Sequence, residues 1–219
     1  MNQQEFTLGE LVDEYPSAAA IFQKRGLDFC CGGKQTLKSA CAKKGIEPES
    51  ILAQISQIPS QKVENDWRDC PLTELIDHIE GHYHFRLRKA LPELISLSRK
   101  VEKVHRSNPL FPIGISAYLA SIDFAVIHHL EKEENILFPM IRAGMGNEAG
   151  MPIRAMSQEH EDHGKNLQKL RQMTNEFSVP REACVSWRLL MKRLREFELE
   201  LMQHIHLENN ILFPRALNE

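Results

Sequence analysis

Apolar residues recur at steps of three and four along most of this chain, and sustained period-two alternation is almost absent. The pattern predicts helices and no sheet. Four long helical stretches are expected in the C-terminal two thirds, bounded by chain-breaking residues. The first covers about 71–105 and carries Pro92 inside, which is expected to kink it or remove one hydrogen bond. The second covers about 114–142 and stops at GMGNEAGMP. The third covers about 152–177. The fourth starts near Ser178-Val179-Pro180, with Ser178 as cap and Pro180 in the first turn, and runs to about 213. Ahead of these, 1–58 reads as short helices opened by the capping box Thr7-x-x-Glu10, by Ser17 and by Glu47-Pro48-Glu49. The polar segment 59–70, PSQKVENDWRDC, reads as a linker. The expected fold is all-α: a four-helix bundle over 71–219 preceded by a small helical domain.

The inward seams carry groups that do not belong in an apolar core. Leu119, Ile122, Val126, His129, Glu133 and Ile136 share one face of the second helix. Leu190, Leu194, Phe197, Leu201, His204, Glu208 and Ile211 share one face of the fourth. The third presents Ile153, Met156, His160, His163, Leu167 and Leu170, and on the first His84 is in step with Leu87, Leu91 and Leu94. An ionised carboxylate buried without a partner costs several kcal/mol or more, so Glu133 and Glu208 demand a partner.

A duplication supplies one. HLEKEENILFPMI from His129 and HIHLENNILFPRA from His204 both read His-x-x-x-Glu followed by Ile-Leu-Phe-Pro. His84 lies 45 residues before His129, and His160 lies 44 before His204. An (i, i+4) pair stands on one helix face, so two facing pairs and two further histidines can converge on metal. Imidazole and carboxylate without thiolate suit iron, manganese or zinc, and the bundle favours a dinuclear centre. If Glu133 and Glu208 both bridge, each metal receives two nitrogens and two oxygens. An added oxo or hydroxo bridge leaves one open position for a diatomic such as O₂ or NO. The Glu-x-x-His arrangement of ferritin-type bundles is absent, which argues against iron storage.

Composition restricts the remaining possibilities. Hydrophobic residues make up 42% and charged residues 26%, with a net charge of −3 and no basic block, so nucleic acid is not an expected partner. No apolar run reaches the roughly 18–20 residues of a membrane span. The N-terminus lacks the basic and apolar regions of a signal peptide. Five cysteines without framework spacing suggest reduced thiols in a cytoplasm.

The order His, HxxxE, His, HxxxE in a four-helix bundle resembles the hemerythrin-like family. The segment TLGELVDEYPSAAAIFQKRGLDFCCGGKQTLKSAC resembles the small domain that precedes such a bundle in the RIC (repair of iron centres) family. FCCGGKQTL, IDHIEGHYH, EKEENILFP and LENNILFPRAL extend the likeness over essentially the whole chain. The resemblance implies a hemerythrin-like bundle holding two non-haem irons, with His84, His129, Glu133, His160, His204 and Glu208 as ligands and both glutamates bridging. It further implies repair of iron–sulfur clusters damaged by oxidative or nitrosative stress, damaged iron–sulfur proteins as clients, NO or O₂ as small ligands, and a homodimer. An O₂ or NO sensor or carrier and an NO reductase are the rival readings. His163 could be a fifth ligand or a histidine packed above the site. Glu159 could support a ligand or be a solvated surface group. Cys30 and Cys31 could be redox-active or metal-interacting thiols exposed by a left-handed Gly32-Gly33 stop, or small buried apolar residues. His78 and His82 form a competing (i, i+4) pair that fits the duplicated spacing less well.

Overall fold

A computed structural model describes residues 3–58 and 66–219, and no strand is found among them. The expected linker therefore lies partly outside the described residues. The N-terminal region forms α1 (Leu8–Glu14), α2 (Ala18–Arg25), α3 (Leu37–Lys44) and α4 (Pro48–Gln57). Thr7 and Glu10 close the expected capping box, and Pro48 opens α4 from its first turn. Ser17, expected as a cap, sits in helical conformation and makes no side-chain cap bond.

Four long helices form the bundle. The first, α5, comprises Leu72–His78, a π-helical turn over Ile79–His84, and Phe85–His105, and it passes through Pro92 without ending. The second, α6, comprises Ile115–Lys132, a π turn over Glu133–Leu137, and Phe138–Arg142. The third, α7, is Gly150–Met173, a regular α-helix throughout. The fourth, α8, comprises Val185–His206, a π turn over Leu207–Leu212, and Phe213–Ala216.

Two expectations require correction. The fourth helix begins at Val185 and not near Ser178, because Asn175, Glu176 and Phe177 all adopt positive φ (46°, 58° and 57°). Left-handed backbone is unfavourable for residues with a Cβ and needs external support. Thr174 Oγ1 accepts from Phe177 N at 3.2 Å, while Phe177 is buried beneath the guanidinium groups of Arg171 and Arg195. Burying that ring turns the chain away from helix and leaves 178–183 irregular. The second correction concerns Ile136, which is 54% exposed although its counterpart Ile211 is 4% exposed. The π turn hands the inward position to Leu137. In the second copy, Ile211 instead lines a cleft with Val12, Pro16 and Trp67. The remaining expected seam residues are buried.

The small region is not a separate bead. Leu8, Phe22, Phe29 and Cys41 belong to the same continuous apolar core as Leu91, Leu119, Leu167 and Leu201. Beside this core a polar clasp joins α2, α7 and α8. Glu198, 1% exposed, accepts from Arg171 Nε and Nη2 at 2.5 and 2.7 Å and from Gln23 Nε2 at 2.8 Å. Burial raises the Glu198 pKa despite this arginine, so the carboxylate depends on its partners. Removing one partner of a buried pair costs about 3–5 kcal/mol. Arg171→Ala is therefore expected to lower the urea unfolding midpoint markedly, with a loss of roughly that size; an unchanged midpoint would show the clasp to be dispensable.

Candidate metal centre

The duplicated motif positions its side chains as the seams require. His84, His129, Glu133, His160, His204 and Glu208 are each no more than 1% exposed and converge at mid-bundle. They form two groups with ligand atoms within 4.8 Å of one another: His84, His204, Glu133 and Glu208, and His129, His160, Glu133 and Glu208. Both glutamates are common to the two groups. Glu133 Oε2 faces His84 Nε2 at 3.5 Å, while its Oε1 faces His129 Nε2 at 3.3 Å. Glu208 Oε1 faces His204 Nε2 at 2.9 Å, and its Oε2 faces His160 Nε2 at 3.1 Å. Each carboxylate thus turns one oxygen to each group.

The imidazole nitrogens also face one another across the centre, at distances that a shared proton bridges in the metal-free chain. His84 Nε2 lies 3.1 Å from His204 Nε2, and His160 Nε2 lies 3.0 Å from His129 Nε2. Outer acceptors bind the opposite nitrogens: Glu134 at His84 Nδ1 (2.8 Å), Glu159 at His129 Nδ1 (3.0 Å) and Asn209 at His160 Nδ1 (2.8 Å). An imidazole held by an acceptor at Nδ1 presents its Nε2 lone pair inward, as a metal ligand must. Both Glu133 oxygens and Glu208 Oε2, although near imidazole nitrogens, lack hydrogen-bond geometry to any partner among the described residues. Inward lone pairs and buried anionic oxygens without donors fit a pair of cations.

Electrostatics differ between the two copies. Burial works against a charged His129, yet Glu133 and then Glu159 outweigh it and raise the pKa to about 10. At His204 burial prevails over Glu208 and the value falls. Burial would raise Glu208, but His204 and His160 hold it well below the usual carboxylate range. The asymmetry has a cause in the chain. Glu159 precedes His160 and reaches His129, whereas Tyr83 precedes His84 and stacks on His204 with ring centroids 5.9 Å apart. The hydrogen bond from His129, with Lys132 behind it, keeps Glu159 at about 2 against the effect of burial; His84 and Arg88 do the same for Glu134.

The other expected candidates separate clearly. His163 is 3% exposed, meets the His129 ring edge-on at 4.9 Å between centroids, and belongs to neither group. Burial and then His129 hold its pKa near 3 (lowered to about 3), so it is neutral. His78 and His82 stack on each other, His78 also against Trp67, outside both groups. His128 is exposed, and His206 is buried against Asp13.

Cys30 and Cys31 lie in a loop between α2 and α3, with thiols 3.8 Å apart in hydrogen-bond contact and not joined as a disulfide. The expected left-handed Gly32-Gly33 stop is not formed: the positive-φ glycines are Gly26, Gly45, Gly114 and Gly144. Gly33 serves close approach instead, because a Cβ there would lie 2.6 Å from the Asn210 amide and from Phe29 O. Cys30 is buried, and its pKa is raised well above normal by the Cys31 hydrogen bond and by burial. The loop rests on the centre itself. Asn209 accepts from His160 Nδ1 through Oδ1 and donates through Nδ2 to Cys30 O at 3.2 Å, while Cys31 Sγ donates to His160 O at 3.3 Å. Asp28, Cys30 and Cys31 form a third cluster of possible ligand atoms.

Glu134 and Asn209 escaped the sequence reading, although a signal existed: each immediately follows a seam glutamate in the repeated EENILFP and ENNILFP. Each supports the upstream histidine of its own half.

Comparison with known proteins gives this geometry its relatives. Residues 74–216 match the Hemerythrin HHE cation binding domain, and residues 4–58 match ScdA_N, a domain of unknown function (DUF542). The chain is 46% identical over 217 residues to the iron-sulfur cluster repair protein YtfE of Citrobacter koseri, covering 99% of each chain. It shows the same identity and coverage with the YtfE proteins of Escherichia coli O17:K52:H18 and Shigella boydii serotype 4. The chain belongs to the hemerythrin-like iron–sulfur cluster repair family. The family's cation-binding bundle is the element in which both histidine–glutamate groups lie. No helix among the described residues is long and apolar enough to cross a membrane.

Two outcomes follow for this member of the repair family. Supporting acceptors of metal-bound histidines are worth about 10–100-fold in metal affinity, so Glu134→Ala and Asn209→Ala are each expected to weaken iron binding by that factor in competition with a chelator; undiminished affinity would deny them that role. Metal-free His129 carries a proton below about pH 10, and a ligand nitrogen must lose it. The same raised pKa stabilises the metal-free fold below about 6.5 and ceases to do so as pH rises towards 10. Metal uptake at pH 7 should release at least one proton, seen as a buffer-dependent heat in titration calorimetry.

Proposed function

We propose that the chain binds two non-haem irons through His84, His129, Glu133, His160, His204 and Glu208, and that it restores damaged iron–sulfur clusters. The observation carrying this reading is that each of two buried carboxylates offers one oxygen to each of two histidine pairs. In that role Glu133 and Glu208 bridge the irons, with an oxo or hydroxo group as the remaining shared ligand. The bound irons supply redox-active, Lewis-acidic centres with open positions for NO or O₂. Glu134, Glu159 and Asn209 orient three imidazoles and keep their Nδ1 protons fixed.

The relatives named as iron-sulfur cluster repair proteins support the same role here, with damaged iron–sulfur proteins as clients. The Cys-bearing loop favours repair over simple carriage of a diatomic, since its two thiols and Asp28 stand directly on the His160 side of the centre. We read 1–58 as the client-facing or iron-passing unit and 71–219 as the iron-holding one. The five free thiols suit a reducing cytoplasm, and the family resemblance suggests a homodimer.

The test is iron analysis with Mössbauer spectroscopy of the anaerobic protein, combined with reactivation of an NO-damaged iron–sulfur enzyme. The wild type should hold two coupled irons per chain. His129→Ala and Glu208→Ala should lose iron and repair together, whereas the Cys30→Ala/Cys31→Ala double variant should keep iron and repair poorly. Two irons retained in both ligand variants would refute the ligand set.

A further inference from the structure

Cys184 and His105 form a thiol–imidazole pair that the proposed centre leaves unused. Cys184 Sγ lies 3.1 Å from His105 Nε2, close enough for the thiol to pass its proton to the ring nitrogen. Among the described residues Cys184 is the only exposed thiol; Cys30 and Cys41 are buried, and Cys31 and Cys70 are half-buried. Cys184 occupies the N-cap of α8 with extended backbone (φ −69°, ψ 165°), yet its side chain makes no cap bond to the helix. The thiol is turned to the imidazole instead. Two buried aromatic side chains hold that ring: it stacks on Phe111 at 5.8 Å between centroids and tilts against Trp187 at 5.0 Å. A nucleophile, a base within hydrogen-bond reach and a third group that orients the base together mark an activated thiol.

The helix ends favour charge separation within the pair. His105 is the last residue of α5, where the helix dipole favours a cation, and Cys184 stands at the start of α8, where it favours an anion. Arg188, one turn into α8, donates from Nε to Ala183 O at 3.0 Å and from Nη2 to Arg181 O, which brings a guanidinium to the chain just before the thiol. Glu182, the nearest acid in sequence, is exposed to solvent. A thiol beside an imidazole, a guanidinium and a helix N-terminus has the surroundings of reactive cysteines, whereas buried structural thiols are inert. Neither member of the pair belongs to a group of three possible ligand atoms among the described residues, which favours chemistry at sulfur over metal binding. The pair also stands apart from the centre, roughly 30 Å along α8 from His204.

We propose that Cys184 is a redox-modification site that exchanges with small disulfides of the glutathione class, with His105 as its base. The Sγ proton passes to His105 Nε2, and the thiolate attacks one sulfur of the disulfide. A new S–S bond forms to Cys184 and the old one breaks. The leaving thiolate carries away the electron pair and takes the proton from His105. Cys184 is thereby oxidised to a mixed disulfide, and the reagent is reduced to one free thiol. The iron-loaded full-length protein, treated with glutathione disulfide at pH 7 and mapped by peptide mass spectrometry, should gain one glutathionyl group per chain at Cys184. That group should form about tenfold faster than at any other thiol of the chain, and unfolding in urea should remove the advantage. Cys184→Ser should abolish the modification. His105→Gln should slow it about tenfold with iron content unchanged. His105→Phe, which keeps a ring against Phe111 and Trp187 but has no nitrogen, should be as slow. Faster labelling of Cys31 or Cys70, an equal rate at Cys184 in urea, or a rate untouched by His105→Phe in a protein that melts cooperatively would overturn the proposal. Should both His105 variants fail to fold, native against urea-unfolded wild type decides the matter. The same rates are expected of the metal-free protein, so failure of the di-iron reading would leave this result standing.

Discussion

Two buried carboxylates, three of whose four oxygens find no hydrogen-bond donor among the described residues, set the terms for everything around them. Desolvating Glu133 and Glu208 costs several kcal/mol each unless opposite charge is delivered to the same place. In the metal-free chain only imidazolium protons can do this, and the burial that isolates the carboxylates also resists charging His204 and His163. The six inward side chains are therefore frustrated as a purely protein core. Cations relieve that conflict, and the long apolar seams of α5 to α8 provide the rigidity that keeps the side chains converged.

Much of this was legible in the sequence because duplication doubles a weak signal. One HxxxE on a helix means little, but two with the same ILFP trailer and nearly equal upstream spacing pointed to six side chains that converge in the bundle and to the seams that carry them. What escaped was whatever depends on local backbone departures or on packing between distant segments. The π turns at Ile79–His84, Glu133–Leu137 and Leu207–Leu212 insert residues where α-helical periodicity counts none, so Ile136 was assigned inward and is not. The left-handed run at 175–177 obeys the burial of Phe177, which no local propensity announces. The docking of the Cys30 loop on Asn209 and Asn210 joins residues about 180 positions apart, beyond any periodic pattern.

The two halves are related as repeats but do not live in equivalent surroundings. Asn135 and Ile136 of the first copy face solvent, while Asn210 holds Phe29 O and Ile211 is covered. Glu159 charges one side of the centre and Tyr83 stacks against the other. A symmetric ligand set is thereby placed in an asymmetric frame, and the thiols stand on one side only.

The Asn209 side chain gives that asymmetry a mechanical meaning. An amide is a rigid plane, so the oxygen facing His160 and the nitrogen donating to Cys30 O cannot move independently. Lifting the cysteine loop must either break one of these bonds or tilt the imidazole with the loop. A disturbance of the cysteine loop is in this way geared directly to the aim of one nitrogen at the centre, through a lever one side chain long.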